Sequence, residues 1–316
     1  MVAALLVLSI TGCSVISVDF TPRLRPLVEE TVEGRGPDKI LLTEVSGFIS
    51  DDNTTPTLTI GTPPPSVSML VRVREELKKA AKDPKVKAVV LRINSPGGTV
   101  TASDIIYREI QAFKAQTQVP VVAVMMDVAA SGGYYIALAA DRIIAHPTSV
   151  TGSIGVLMLT VNAQGLLEKV GVTASTIKSG PRKDMGSLFR ELTPEEQAIF
   201  QTVIDELYTQ FVAKVVERRA IPAATARSLA DGRIYSAPQA LAEKLVDQVG
   251  YMDDAVNAAK QAVGLEQARV VVYHRPRDYR ATYYAGAATP APRLESTLAQ
   301  ALLGGAGPKL LYLWWP

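Results

Sequence analysis

The chain has 316 residues, 33 basic and 31 acidic side chains and a formal net charge of +2, so it can bury a real core and offers no basic stripe for nucleic acid. With 47% hydrophobic and 20% charged residues it is not a disordered chain, and its length fits one large domain or two modest ones. One cysteine, Cys13, excludes an internal disulfide framework and any multi-cysteine zinc site; two histidines leave little for metal or proton-relay chemistry, and no cofactor is called for.

Val2 to Ile10 is an apolar run followed by Thr11, Gly12 and Cys13, with no charge before Asp19. A short apolar stretch ending in small residues reads as a targeting segment. Ile10-Thr11-Gly12-Cys13 resembles the bacterial lipobox, whose cysteine becomes an acylated N-terminus anchored by about 0.8 kcal/mol per buried CH₂. The usual Lys or Arg ahead of the apolar run is missing. An uncleaved membrane anchor over residues 1–18 competes with this reading, and a plain cleaved signal is a third. All three place the rest of the chain in an extracytoplasmic compartment or at a membrane.

Residues 19–38 are rich in charge and proline and read as a tether. Lys39–Phe48 is the first expected strand, and Asp51–Pro65 a long Pro-rich loop. Ser66 is placed to cap a helix carrying Val67, Leu70, Val73 and Leu77, which ends at Asp83-Pro84. Val86–Ile93 is a buried strand, closed by the sharp turn Asn94-Ser95-Pro96-Gly97-Gly98. A helix over about Ser103–Phe113 and a second continuous apolar strand, Val119–Met126, follow. Unalternating strands separated by helices indicate a parallel sheet covered on both faces.

The pattern repeats with a turn at Ala129–Gly133, a helix from Tyr134, a strand at Arg142–Ala145 and the Gly-rich Thr151–Gly155. After an expected strand near Val172–Ile177 comes the basic loop Lys178–Asp184. Thr193-Pro194-Glu195-Glu196 is a strong helix start, and its helix runs to about Arg219, roughly 39 Å. Shorter helices are expected around Pro222–Leu229, Ala237–Leu245 and after Tyr251. The tail from Ala287 is Ala-, Gly- and Pro-rich and ends in the apolar Leu310–Trp315, for which core filling, a neighbour and a membrane are all open.

Ligands of open α/β sheets bind beyond the carboxyl ends of strands, where both Gly-rich turns fall. N–H groups of Gly97 and Gly132 are placed to meet on a developing oxyanion, worth about 3–4 kcal/mol per donor in acyl transfer. Ser131, on a tight strand-to-helix turn, suits a nucleophilic hydroxyl, although a Ser-Gly-Gly turn can equally be structural. His146 and His274 lack an obvious orienting carboxylate. A lysine serves as base where burial lowers its pKa from about 10.4 toward 7–8, and Lys178 and Lys183 lie in a loop after a strand.

RINSPGGTVTASD, VAASGGYYIALAAD, TGSIGV, KSGPRKDMGS, FRELTPEE and DGRIYS, in this order over roughly residues 40–260, closely resemble the single-unit form of the signal peptide peptidase A family. The resemblance implies a Clp/crotonase-like α/β fold, a parallel sheet flanked by helices with a helical C-terminal extension. It implies a membrane-associated serine endopeptidase acting on remnant signal peptides and misfolded segments, cut after small residues. It further implies Ser131 as nucleophile, Lys183 as general base, Ser153 orienting the lysine, and Gly97 and Gly132 as oxyanion donors. Homo-oligomers with Ser and Lys from neighbouring subunits are implied as well. The chain then divides into a signal or anchor (1–18), the tether (19–38), a peptidase domain (39–265) and an extension of unknown role (266–316). A crotonase-like acyl-CoA enzyme and a non-catalytic scaffold on the same fold are the alternatives.

Overall fold

The structure is a computed structural model that describes residues 25–51, 67–276, 282–284 and 309–314. Cys13 and nearly all of the Pro-rich loop lie outside these residues. The chain begins with strands β1 (Val28–Gly34) and β2 (Lys39–Ser46). Helix α1 (Met69–Ala80) is capped by Ser68, whose Oγ accepts from Val71 N; Ser66, expected as the cap, lies outside the described residues. Strands β3 (Val86–Ser95) and β4 (Gly97–Thr99) lead into helix α2 (Val100–Thr117), and β5 (Val121–Ala130) into the short helix α3 (Gly132–Ala137). Next come β6 (Arg142–Ala145), β7 (Val150–Gly152), β8 (Leu157–Leu159) and α4 (Gln164–Lys169). The long α5 (Pro194–Arg219) is followed by α6 (Ala223–Leu229), β9 (Ile234–Ser236), α7 (Ala237–Ala242), β10 (Gln248–Val249) and α8 (Met252–Ala262). Strands β11 (Arg269–His274) and β12 (Lys309–Leu313) complete the described elements.

The central sheet runs β1-β11-β2-β3-β5-β6-β10, with β7 continuing beside the far end of β5 and β9 beside β7. From β11 to β10 the neighbours are parallel, and β1 closes the edge antiparallel to β11. The continuous apolar runs have a simple cause: both faces of the sheet are covered. Leu41, Val89, Leu91 and Ala123 pack with residues of α1, α2, α3 and α5; Ile40, Leu42, Val90 and Val122 pack on the other face with Met252, Ala255, Val256 and Ala259 of α8. Each such side chain contributes about 1.5–3 kcal/mol when fully buried.

Three expectations are corrected. The residues read as a tether contain β1, whose side chains are mostly exposed, as an edge strand permits. The peptidase core extends past residue 265, because β11 inserts between β1 and β2. Val172–Ile177 forms no strand and has no sheet neighbour among the described residues; Ile177 is fully exposed.

Candidate active site

Strands β3 and β5 are parallel neighbours, with Ser95 opposite Ala129, so both Gly-rich turns emerge at one end of the sheet. At Ser131 the backbone takes φ 52°, ψ −114°, a conformation that costs a non-glycine residue about 1–3 kcal/mol. The surroundings enforce it. Ser131 N–H donates to Gly152 O at 2.8 Å, Ala130 pairs with Gly152 across β5 and β7, and every residue of α3 is buried behind the turn. Tyr134 Oη, inside α3, donates to Leu245 O at 2.9 Å and locks the helix in place. Ser131 is 1% exposed, and its Oγ has no hydrogen-bond partner among the described residues. A buried unpaired hydroxyl costs about 1–3 kcal/mol, so backbone strain and side-chain desolvation converge on one residue.

The facing turn is built as tightly. A Cβ on Gly98 would fall on the Ile49 carbonyl oxygen, and one on Gly97, at φ +108°, on the Tyr312 carbonyl oxygen and 2.9 Å from Gly132 N. The Gly97 N–H, expected at an oxyanion, instead donates to Ser95 Oγ at 3.0 Å. Ser95 Oγ in turn donates to Gly47 O at 2.6 Å. Gly98 offers the better-directed donor. Trp314 N–H donates to Pro96 O at 2.8 Å, and β12 runs antiparallel to β4 with Tyr312 opposite Gly98. Antiparallel alternation then makes Gly98 and Tyr312 a hydrogen-bonded pair, with the Gly98 N–H facing the Tyr312 carbonyl. A Cβ on Gly132 would lie 3.2 Å from both that oxygen and Gly98 N. The main chains of Gly98 and Gly132 thus flank the same carbonyl oxygen.

Ser153 follows Gly152 directly, is nearly buried, has φ 48°, and donates its N–H to Arg233 O at 2.7 Å. Ser131, Ser153, Gly97, Gly98 and Gly132 are thereby gathered at one end of the sheet. Lys183 is not: it is exposed on the turn 181–186, and no contact joins it to Ser131 Oγ. Its loop is pinned nonetheless. The Arg190 guanidinium spans Asp184, at 2.7 and 3.1 Å, and Glu196 in the first turn of α5, at 2.6 and 2.8 Å, while Lys178 Nζ reaches Asp184 at 2.7 Å. Arg190 beside it lowers the Glu196 carboxyl from 4.5 to about 2, and Arg190 followed by Lys178 holds Asp184 well below its ordinary value.

The histidines belong to other surroundings. His146 Nδ1 lies 2.8 Å from Thr148 Oγ1 with its ring against Tyr251, and His274 Nε2 lies 3.1 Å from Glu30. Among the described residues no helix is long and apolar enough to cross a membrane.

The model of peptidase family S49 matches residues 113–266, and that of Clp protease matches residues 66–151. The chain is 38% identical over 255 residues to a protein of Enterococcus faecium assigned as signal peptide peptidase SppA, covering 78% of this chain and 70% of the relative. It is 43% identical over 192 residues to an assigned protease of Synechocystis sp., covering 61% and 69%. It is 37% identical over 203 residues to the chloroplastic serine protease SPPA of Arabidopsis thaliana, covering 64% and 30%. Fold and relatives together define a serine-type peptidase on a Clp-like α/β fold, acting on peptides or proteins. The chain belongs to peptidase family S49. The acyl-CoA and scaffold alternatives are set aside with that finding.

Proposed function

We propose that the chain is an endopeptidase with a Ser131/Lys183 dyad, working through an acyl-enzyme. The observation that carries this reading is the buried, unpartnered Ser131 Oγ on a strained turn beside two facing glycines. Neutral Lys183 takes the Ser131 proton, and the alkoxide attacks a peptide carbonyl. The N–H groups of Gly132 and Gly98 hold the oxyanion, Gly98 replacing Gly97 because the Gly97 N–H is engaged by Ser95. Lys183 then protonates the leaving amine, and water releases the acyl group and restores both side chains. Ser153 orients the lysine.

Basicity requires an uncharged amine, which exclusion of water favours. In the single chain Lys183 faces solvent, so a neighbouring copy completes the site by bringing its Lys183 to this Ser131. Exposed apolar side chains around that loop support assembly: Leu159, Leu166, Val170, Val172, Ile177 and Phe189 all face outward, and no residue of α4 is buried. The physiological setting in this reading is the bacterial cell envelope. The protein is held at the membrane by a lipid on Cys13 or by an N-terminal anchor, with remnant signal peptides as substrates.

A fluorophosphonate probe, mapped by mass spectrometry, tests the nucleophile. Modification at Ser131 that disappears in Ser131→Ala is expected; stable modification of another serine, with Ser131 bare, contradicts it.

A further inference from the structure

DGRIYS, at residues 231–236, forms the wall behind Ser153. β7 is three residues long and is gripped from both sides. From the β5 side, Thr151 Oγ1 donates to Ala129 O at 2.6 Å, and Ser131 N–H donates to Gly152 O at 2.8 Å. On the other side β9 pairs antiparallel with β7, Tyr235 opposite Thr151 and Ile234 opposite Gly152. The Tyr235 ring fills the space that a side chain at 152 would need. A Cβ there would lie 2.5 Å from the ring and 2.9 Å from Arg233 O. Tyr235 is itself buried and anchored, its Oη donating to Leu229 O at 2.9 Å.

One bond of this wall reaches the site. Arg233 O accepts the Ser153 N–H at 2.7 Å, just where β7 ends and the chain turns to φ 48°. L side chains avoid that region, so Ser153 needs a fixed partner to stay there. A tight turn aims the carbonyl. Asp231 Oδ1 accepts the Arg233 N–H at 3.1 Å and the Arg233 Nε at 2.8 Å, and Gly232 between them takes φ +90°. Asp231, Gly232 and Arg233 are all exposed, so core packing does not account for this sequence. We propose that Asp231–Arg233 is a positioning turn for the catalytic base: Arg233 O sets the Ser153 backbone, and through it the direction in which the Ser153 hydroxyl meets Lys183. The proposal rests on the reading of Ser153 as the group that orients the lysine.

Gly232→Ala perturbs the turn alone, because a Cβ there meets nothing within 4 Å while φ +90° is strained for alanine. Asp231→Ala removes the acceptor that closes the turn. In the full chain, both variants should lose about tenfold in kcat on an internally quenched peptide, with KM within about twofold, as misplaced catalytic groups do. Assembly size by light scattering should stay at the wild-type value. The ascending limb of the kcat/KM pH profile, which reports the base, should move as it does in Ser153→Ala. The double variant Ser153→Ala/Gly232→Ala separates positioning from general loosening. It should be no slower than Ser153→Ala alone, since effects that pass through one group do not add. A further tenfold loss in the double variant overturns the proposal. So do wild-type kcat and pH profile in Gly232→Ala and Asp231→Ala when Ser153→Ala is impaired. Ser153→Ala working at the wild-type rate overturns the reading of Ser153, and the positioning turn with it.

Discussion

A nucleophile held in a strained, desolvated position should stabilise the protein when it is removed. Ser131→Ala deletes a buried hydroxyl that has no partner, which relieves about 1–3 kcal/mol of desolvation and loses a few contacts of one small atom. The backbone stays at φ 52°, strained for alanine as for serine. Ser131→Gly also removes the strain, another 1–3 kcal/mol in order of magnitude, offset by the roughly 0.5–1 kcal/mol that glycine loses in conformational freedom. The expected order of stability is therefore glycine above alanine above serine, with alanine gaining ~1 kcal/mol and glycine ~2 kcal/mol. At roughly 2–4 °C per kcal/mol, the melting temperature should rise by about 2–4 °C and 4–8 °C. The comparison belongs in the Lys183→Ala background, so that no amine from a neighbouring copy pairs with the hydroxyl, and at one protein concentration, because assembly shifts Tm. Scanning calorimetry reads the shifts. A fall of 2 °C or more for Ser131→Ala would refute the reasoning, since it would show a hydroxyl that is satisfied and structural.

Gly98→Ala drives a methyl onto the Ile49 carbonyl and displaces β4, so peptidase activity should fall about 10²–10³-fold, with the β12 tail released to added protease. Arg190→Met unpins the Lys183 loop from α5, and trypsin should cut at Lys178, Arg182 or Lys183 several-fold faster while circular dichroism stays unchanged. Because Arg190 lowers the Glu196 carboxyl from 4.5 to about 2, the clamp's contribution is complete above pH 4.5 and is lost as pH falls toward 2. The same proteolysis assay run downward in pH should show the wild-type loop loosening in that window and Arg190→Met insensitive to it. Arg92→Met removes two buried guanidinium hydrogen bonds, to the Glu44 carboxylate and to Tyr283 O, both 2.7 Å, and should cost about 1–3 kcal/mol by denaturant midpoint without changing which serine takes a probe.

The central architecture was legible because burial on both faces writes itself as uninterrupted apolar runs. Val86–Ile93 and Arg142–Ala145 fall inside or on the observed strands for that reason. The start of α5 was legible from chemistry: Thr193 Oγ1 accepts from Glu196 N, and Glu196 reaches back to Thr193 N. Edge strands carry no such mark. VEETVEG of β1 faces solvent and reads as linker, whereas VTASTI at 172–177 is rich in β-branched residues but finds no neighbour to pair with.

Within the site, the Ser-Gly-Gly turn pointed to Ser131, but two adjacent glycines at 97 and 98 cannot be ranked as donors until the Ser95 hydroxyl and the strand register are seen. For the apolar Leu310–Trp315 the sequence left core filling, a neighbour and a membrane open, because Tyr135 and Phe211, the aromatic partners of Tyr312, lie far from it along the chain. The residues alone offered Lys178 and Lys183 equally as bases, and only the family resemblance singles out Lys183, whose exposed position in one chain gives no local pattern to separate the two.

The most direct test of the dyad is peptide hydrolysis by Ser131→Ala and Lys183→Ala, each alone and then co-assembled from mixed chains. The account predicts two inactive homo-assemblies of normal size, and recovered activity in the mixture, where an intact Ser131 meets an intact Lys183 across a subunit boundary. Hydrolysis by Lys183→Ala alone at the wild-type rate would contradict it.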